Sequence, residues 1–415
     1  MDRSYQFRRR LAAQLLGVAL AGISAAGAQG CGNDVETPGS GGQGGQGGAG
    51  NGGFGGGSVV ETITECFAWP QAEAGSGGAG GVGGAGGSGG AGGSGGAGGS
   101  MVPPCPPKDA ALMYVEAGGP SSCGAVVKTD GTFANGECCY EMDVTTCGVG
   151  RPFLVEGRAR AASRTRARST WMESALPAPD LTGLSPDERA LLAAAWTRDG
   201  LLEHASIASF GRFALELLAV GAPAELVERA HEAALDEVRH ARLAFALASA
   251  YAGEPIGPGA FPFAGGSLPV SADLADVAAR AVREGCIGET LASLLAAEQA
   301  ARATDPAARQ ALAAIAEDEA KHAELAWRAV AWALRSGDAS VARAVRAAFA
   351  EAFAAGATLD VQAGGAGALE AHGRPEAAAL RASMERALAE VVQPAAAALL
   401  GSLSAPESQE RAERG

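Results

Sequence analysis

The chain is 415 residues long, 62 of them glycine, with a formal net charge of -14 and an isoelectric point near 4.9. That length allows more than one domain, and the glycines fall in two blocks, so the average composition hides unlike segments. The acidic balance excludes a nucleic-acid surface, which needs a basic stripe to replace condensed counterions, and it suits a protein that handles cations.

Residues 1–30 read as an export signal. Arg8, Arg9 and Arg10 precede a mildly apolar run from Leu11 to Ala28, too weakly hydrophobic for a membrane span. Cleavage after Ala28 and lipid modification of Cys31 are the two competing exits, and both predict an extracytoplasmic protein, secreted or anchored in the envelope. Residues 31–100 are expected to be a flexible tether, because the tracts 39–58 and 75–100 are almost wholly Gly, Ser, Ala and Gln and cannot bury enough apolar area to offset the entropy of ordering them. Six cysteines lie between and after these tracts: Cys66, Cys105, Cys123, Cys138, Cys139 and Cys147. In an exported chain such an even set predicts disulfide staples, here in a small module over 101–156 that is β-rich by its Asp130-Gly131 turn and flanking Val and Tyr residues. No C-x-x-C pair occurs, which excludes a zinc ribbon or a rubredoxin-type iron centre. Arg158, Arg160, Arg164, Arg166 and Arg168 then fall in 157–180, expected to be a solvated basic linker.

From Leu181 the chain turns to Ala, Leu, Glu and Arg at helical period, and 181–336 is expected to form an all-α unit. Ser185, Pro186 and Glu188 make a capping box with proline at the first helical position, so a first helix runs from there to about Val220. A second spans about Pro223 to Ala252, a third about Asp273 to Ala303, and a fourth about Pro306 to Leu334. Between the second and third lies a proline-rich connection, 253–270. Extended, it reaches roughly 60 Å, more than the roughly 45 Å of a thirty-residue helix, so it permits one long crossover between two helical hairpins. Further helices are expected within 337–415, at about Ala339 to Gly356 and Pro375 to Leu403, the latter kinked at Pro394.

The second and fourth helices each carry Glu-x-x-His, as Glu237/His240 and Glu319/His322, in matching surroundings: Asp236 precedes one motif and Asp318 the other, so the chain looks internally duplicated. Residues three apart share a helix face, so carboxylate and imidazole can reach one metal pair. Glu228 and His231 form a third copy, nine residues before Glu237 and thus half a turn round the helix. The stripe of Glu237 holds Leu226, Ala230, Ala233, Ala241 and Ala244, whereas Glu228 shares its side with Glu232, Arg239 and Arg242; Glu228 and His231 are therefore a surface pair. A buried carboxylate is costly unless a cation compensates it, which makes Glu237, His240, Glu319 and His322 candidate metal ligands.

The first helix adds Glu203, whose stripe holds Leu192, Trp196, Ile207, Phe210, Ala214 and Leu217 but not Arg198 or Arg212. The third helix offers Glu284 and Glu289, and its apolar pattern does not separate them. Distance from the turn favours Glu289, because Glu284 would sit roughly 9 Å off the level of Glu319; Glu284 is then expected beside the ligands or at the surface. Carboxylate and imidazole donors fit two iron ions, or manganese, better than copper.

This set over 181–336 resembles the ferritin-like di-iron carboxylate superfamily, whose bacterioferritin and rubrerythrin branches carry one Glu on each of two helices and E-x-x-H on the other two. The resemblance implies a four-helix bundle with Glu237 and Glu319 bridging the metals, His240 and His322 as terminal ligands, and Glu203 and Glu289 as terminal carboxylates. It also implies an oxidoreductase reacting with peroxide or dioxygen, supplied by an electron donor the sequence does not identify. Phe210 and Ala296 stand seven residues after Glu203 and Glu289, so the redox-active tyrosine of many such sites has no counterpart. The alternative is a bundle that holds metal for structure or storage.

Overall fold

The computed structural model describes residues 3–24, 59–67, 105, 108, 122–134, 137–146, 151–155, 158–166, 170–173, 175–263, 268, 270–355 and 364–401. Helices dominate. Helix α1 covers Arg3–Ser24 and strands β1 to β4 cover Val59–Phe67, Ser122–Val127, Thr132–Ala134 and Glu137–Thr146. Three two-residue strands follow, β5 Leu154–Val155, β6 Arg158–Ala159 and β7 Arg164–Thr165. The helices α2 Pro186–Ala219 and α3 Ala224–Ala252 come next, then strand β8 at Gly257–Pro258. The third long rod is composite: α4 Leu274–Arg280, a π-helical segment Ala281–Glu289, and α5 Thr290–Arg302. Helix α6 covers Pro306–Ser336, α7 Ala339–Ala355, α8 Ala368–Ala371, α9 Ala377–Ala387 and α10 Gln393–Gly401, with a second π segment, Leu388–Val392, joining the last two.

Local chemistry accounts for the helix ends. Ser185 Oγ accepts the Glu188 amide at 3.2 Å and Glu188 Oε2 accepts the Ser185 amide at 2.8 Å, a complete capping box. Gly221, at a φ of 69°, lets the chain leave α2 in a left-handed turn and enter α3 within four residues. Asp305 caps α6 by accepting the Ala308 amide at 2.8 Å, and its other oxygen accepts the Asp180 amide at 2.9 Å. Helix α2 therefore packs along α3, the π segment and α5 pack along α6, and α3 lies against α6.

Two apolar clusters fill these contacts. One gathers Phe210, Phe213, Leu217, Ala230, Ala233, Val282, Leu291 and Trp327; the other gathers Leu192, Trp196, Ala241, Phe245, Leu247 and Leu312. On α3 the clusters stop at Ala233 and Ala241, and the residues between include Glu237 and His240. Polar groups thus occupy the level where the apolar core divides.

Several expectations need correction. Residues 59–67, assigned above to the tether, form β1, paired antiparallel with β4 with Cys66 in backbone register with Cys139. The run Val-Val-Glu-Thr-Ile-Thr-Glu-Cys-Phe is dominated by β-branched and aromatic residues, and this composition outweighs its glycine-rich flanks. Cys105 and Cys138 are disulfide-bonded, whereas Cys147 lies outside the described residues. The solvated linker is in part a packed segment: β7 pairs with β8, Thr165 Oγ1 donates to the Gly257 carbonyl at 3.2 Å, and the Gly259 amide donates to the Ser163 carbonyl at 2.7 Å. The proline-rich connection offers backbone groups that no helix satisfies, and 163–165 supplies their partners. The last rod begins at Ala377, and the irregularity expected at Pro394 falls before it, in the second π segment, because proline has no N–H to continue the α-helical ladder.

The run expected to be an export signal forms α1 and lies on α5, α6 and α10. Leu11, Leu15 and Ala19 are buried, Ser4 Oγ donates to Glu298 at 2.6 Å, and Arg10 pairs with Glu317 at 2.7 Å. Among the described residues no helix is long and apolar enough to cross a membrane.

The π segment approaches α6 closely at Gly285, where a methyl group would overlap Ala326 and come within 2.8 Å of Arg151 Nη2. Gly285→Ala is expected to lower stability by about 1–3 kcal/mol in urea unfolding, the overpacking cost exceeding the gain in helix propensity. An unchanged midpoint would show that the two rods can separate freely.

Candidate metal centre

The structure brings together all six side chains singled out in the sequence. Glu203 comes from the middle of α2, Glu237 and His240 from α3, Glu289 from the last position of the π segment, and Glu319 and His322 from α6. Their donor atoms fall in two groups, Glu203, Glu237, His240 and Glu319 in one, Glu237, Glu289, Glu319 and His322 in the other, each with atoms within 4.8 Å of one another. Glu237, His240, Glu289, Glu319 and His322 are buried, and Glu203 is partly exposed. Glu228 and His231 are exposed.

Glu237 and Glu319 belong to both groups, and their oxygens divide between them. Glu237 turns Oε1 to His322 Nδ1 at 3.2 Å and Oε2 to His240 Nδ1 at 3.5 Å. Glu319 does the converse, Oε1 to His240 Nδ1 at 3.4 Å and Oε2 to His322 Nδ1 at 3.6 Å. Both Nδ1 atoms, Glu237 Oε2 and Glu319 Oε2 are fully buried without a hydrogen-bond partner. Orphaned polar atoms of this type are costly in an apolar core, and they converge on the two positions that cations would fill. The residues present therefore fit a pair of metal ions.

Each imidazole is held from behind by the opposite hairpin. His240 Nε2, on α3, meets Asp318 Oδ2 of α6 at 3.3 Å, and His322 Nε2, on α6, meets Asp236 Oδ2 of α3 at 3.3 Å. An Nε2–H donated to a carboxylate leaves Nδ1 as the metal-facing atom and fixes the ring. Arg239 links the two aspartates, at 2.7 Å from each, and Lys321 pairs with Asp318 at 2.8 Å. Neither aspartate was selected from the sequence, although the repeat Asp-Glu-x-x-His contained the signal.

Glu284 is not a surface residue. It is buried and paired with Arg212 at 2.8 Å. In a π-helix the hydrogen bonds run from i to i+5, so residues five apart lie nearly above one another and Glu284 follows Glu289 inward. Arg212, expected off the buried stripe of α2, is buried as well, because residues 151–153 cover that side of the helix: Ser206 and Ser209 donate to the Arg151 and Pro152 carbonyls at 3.1 and 3.0 Å. Arg151 itself reaches Glu289 Oε1 with its Nε at 3.3 Å. No helical pattern in the sequence points to it, since it lies outside the helices.

Charge is distributed unevenly over the metal-free cluster. Burial and then Glu237 push Glu203 well above the usual carboxylate range, and burial and then Glu319 do the same to Glu289. Burial alone would lower His240, but Asp318, Glu203, Glu237 and Glu319 outweigh it and hold the imidazole well above the ordinary histidine value. His322 is raised in the same way by Asp236, Glu237 and Glu319 against its burial. Protons thus take the place of cations.

No family model, curated protein or solved structure matches the chain.

In metal-free protein, both buried imidazoles are expected to stay doubly protonated well above pH 6.5 in NMR titrations. Asp318→Asn removes one of the groups that raises His240 and should lower that ring while leaving His322 raised. Titration of both rings near the usual value would mean that water fills the cluster.

Proposed function

We propose that the chain is an exported oxidoreductase with a ferritin-like bundle, whose two bound metal ions, iron or else manganese, react with peroxide or dioxygen. The observation that carries this reading is the division of oxygens at Glu237 and Glu319, each offering one to either imidazole. Four carboxylates and two neutral imidazoles carry a charge of -4, which two divalent ions cancel, and this donor set suits iron or manganese. Two ferrous ions held there would supply the two electrons that reduce hydrogen peroxide to water.

The remaining roles belong to the chain's own residues. Asp236 and Asp318 orient the imidazoles, and the ring of Phe210, 5.0 Å from that of His322, keeps water from the centre without offering a phenol. Tyr251 lies fourteen residues from Glu237, roughly 21 Å along α3, with its hydroxyl 2.8 Å from His372 Nδ1. Electrons must come from a separate donor. Export is supported by the arginine cluster ahead of an apolar run and by the Cys105–Cys138 bond, since disulfides persist in oxidising compartments. The mature amino terminus tests that part: export predicts an end after Ala28 or a lipid on Cys31, and an intact Met1 with α1 retained would contradict it.

The full chain is expected to bind two ferrous ions under anaerobic loading, as measured by elemental analysis; one or none defeats the proposal. Glu289→Ala should lose at least one ion and Glu284→Ala should keep both, because Glu284 is occupied by Arg212. Diferrous protein should consume peroxide in stopped flow with no tyrosyl radical in electron paramagnetic resonance. Inertness to both peroxide and dioxygen would instead identify a bundle that holds metal for structure or storage.

A further inference from the structure

The two halves of the centre differ in one charge. Arg151 is buried, its guanidinium lies 4.5 Å from the ring centroids of both Phe210 and Phe213, and its Nε is 3.3 Å from Glu289 Oε1. Its Nη2 is buried with no hydrogen-bond partner, in space left by the missing side chain of Gly285. Ser206 fixes the Arg151 backbone from α2. The cation is therefore held in place, desolvated, with Glu289 as its carboxylate partner. On the other side Glu203 is 18% exposed and faces His240 Nδ1 at 3.8 Å, and among the described residues no lysine or arginine pairs with it.

We propose that Arg151 is a positioning residue that makes the two cation positions unequal, so that the half built on Glu203 and His240 fills first and the half built on Glu289 and His322 fills second and more weakly. The inference rests on the two-ion reading above. A fixed positive charge beside Glu289 repels a divalent cation arriving there, and the low dielectric around it strengthens the effect. The same guanidinium holds Oε1 of Glu289 and so orients the carboxylate as hydrogen-bond partners of metal ligands do. Partial exposure of Glu203 gives an ion from solvent its first contact at the half that lacks the arginine.

Metal-free full-length protein titrated anaerobically with Co2+, followed by visible absorption and calorimetry, tests this directly. The wild-type protein should bind two ions in steps separated by on the order of tenfold or more. Glu203→Gln should remove the tighter step and Glu289→Gln the weaker one. Arg151→Met, which keeps volume and removes charge, should strengthen the second step severalfold and narrow the gap, whereas Arg151→Lys, which keeps the charge, should preserve it. Two equal steps in the wild-type protein, loss of the weaker step in Glu203→Gln, or a gap untouched by Arg151→Met would overturn the inference while leaving the two-ion centre standing. Failure of the wild-type protein to bind any Co2+ would overturn both. If Arg151→Met does not fold by circular dichroism, the two glutamine variants still decide which half is the tighter.

Discussion

Everything around the centre follows from placing four carboxylates and two imidazoles in the middle of an apolar core. Desolvating that many charged groups costs on the order of several kcal/mol per ion, and neither hydrophobic packing nor helix propensity offsets it locally. The surrounding structure answers with positive charge in graded positions. Arg239 and Lys321 stand on the rim against Asp236 and Asp318, Arg212 neutralises Glu284, and Arg151 reaches the ligand shell itself. What these leave without a lysine or arginine partner is Glu203, the pair of shared carboxylates, Glu237 and Glu319, and their facing imidazoles.

The parts of this arrangement that obey a helical period were legible in the sequence. Glu203, Glu237 and Glu319 fell on stripes of Ala, Leu and Ile, and Glu228 and His231, equal in chemistry, fell off them. Glu289 could be separated from Glu284 only by height, and the structure groups Glu289 with the other side chains because α5, between Glu289 and the turn, is a regular helix. The π segment lies on the other side of Glu289, so its wider winding misled only the reading of Glu284. Arg212 and Arg151 show a different limit. Stripe analysis asks whether a residue faces the helical core, and it has no means of knowing that a non-helical segment, residues 151–153, covers the outside of α2.

The same blindness affects the amino-terminal half. Average composition is dominated by the glycine tracts and hides Val59–Phe67 between them, nine residues whose β-branched and aromatic content is visible only once the flanks are set aside. The basic stretch after the sheet carries five arginines, a solvated composition, and yet 163–165 is held by backbone hydrogen bonds to residues 257–259, which side-chain chemistry does not forecast. Helix α1 is ambiguous for a related reason. A weakly apolar helix with arginines at one end is suited both to an export machinery and to a groove lined with Glu317 and Glu390.

The crossed holding of the imidazoles has a consequence for how the molecule is assembled. Neither helical hairpin contains a complete half-centre: α2 with α3 carries the His240 ring but not the aspartate that orients it, and α6 carries the His322 ring but depends on α3. An isolated hairpin therefore lacks a carboxylate behind its own imidazole. In this chain both hairpins belong to one polypeptide, so their meeting is intramolecular. Docking of α3 against α6 creates the aspartate–imidazole pairs, so the imidazoles are oriented only in the assembled bundle.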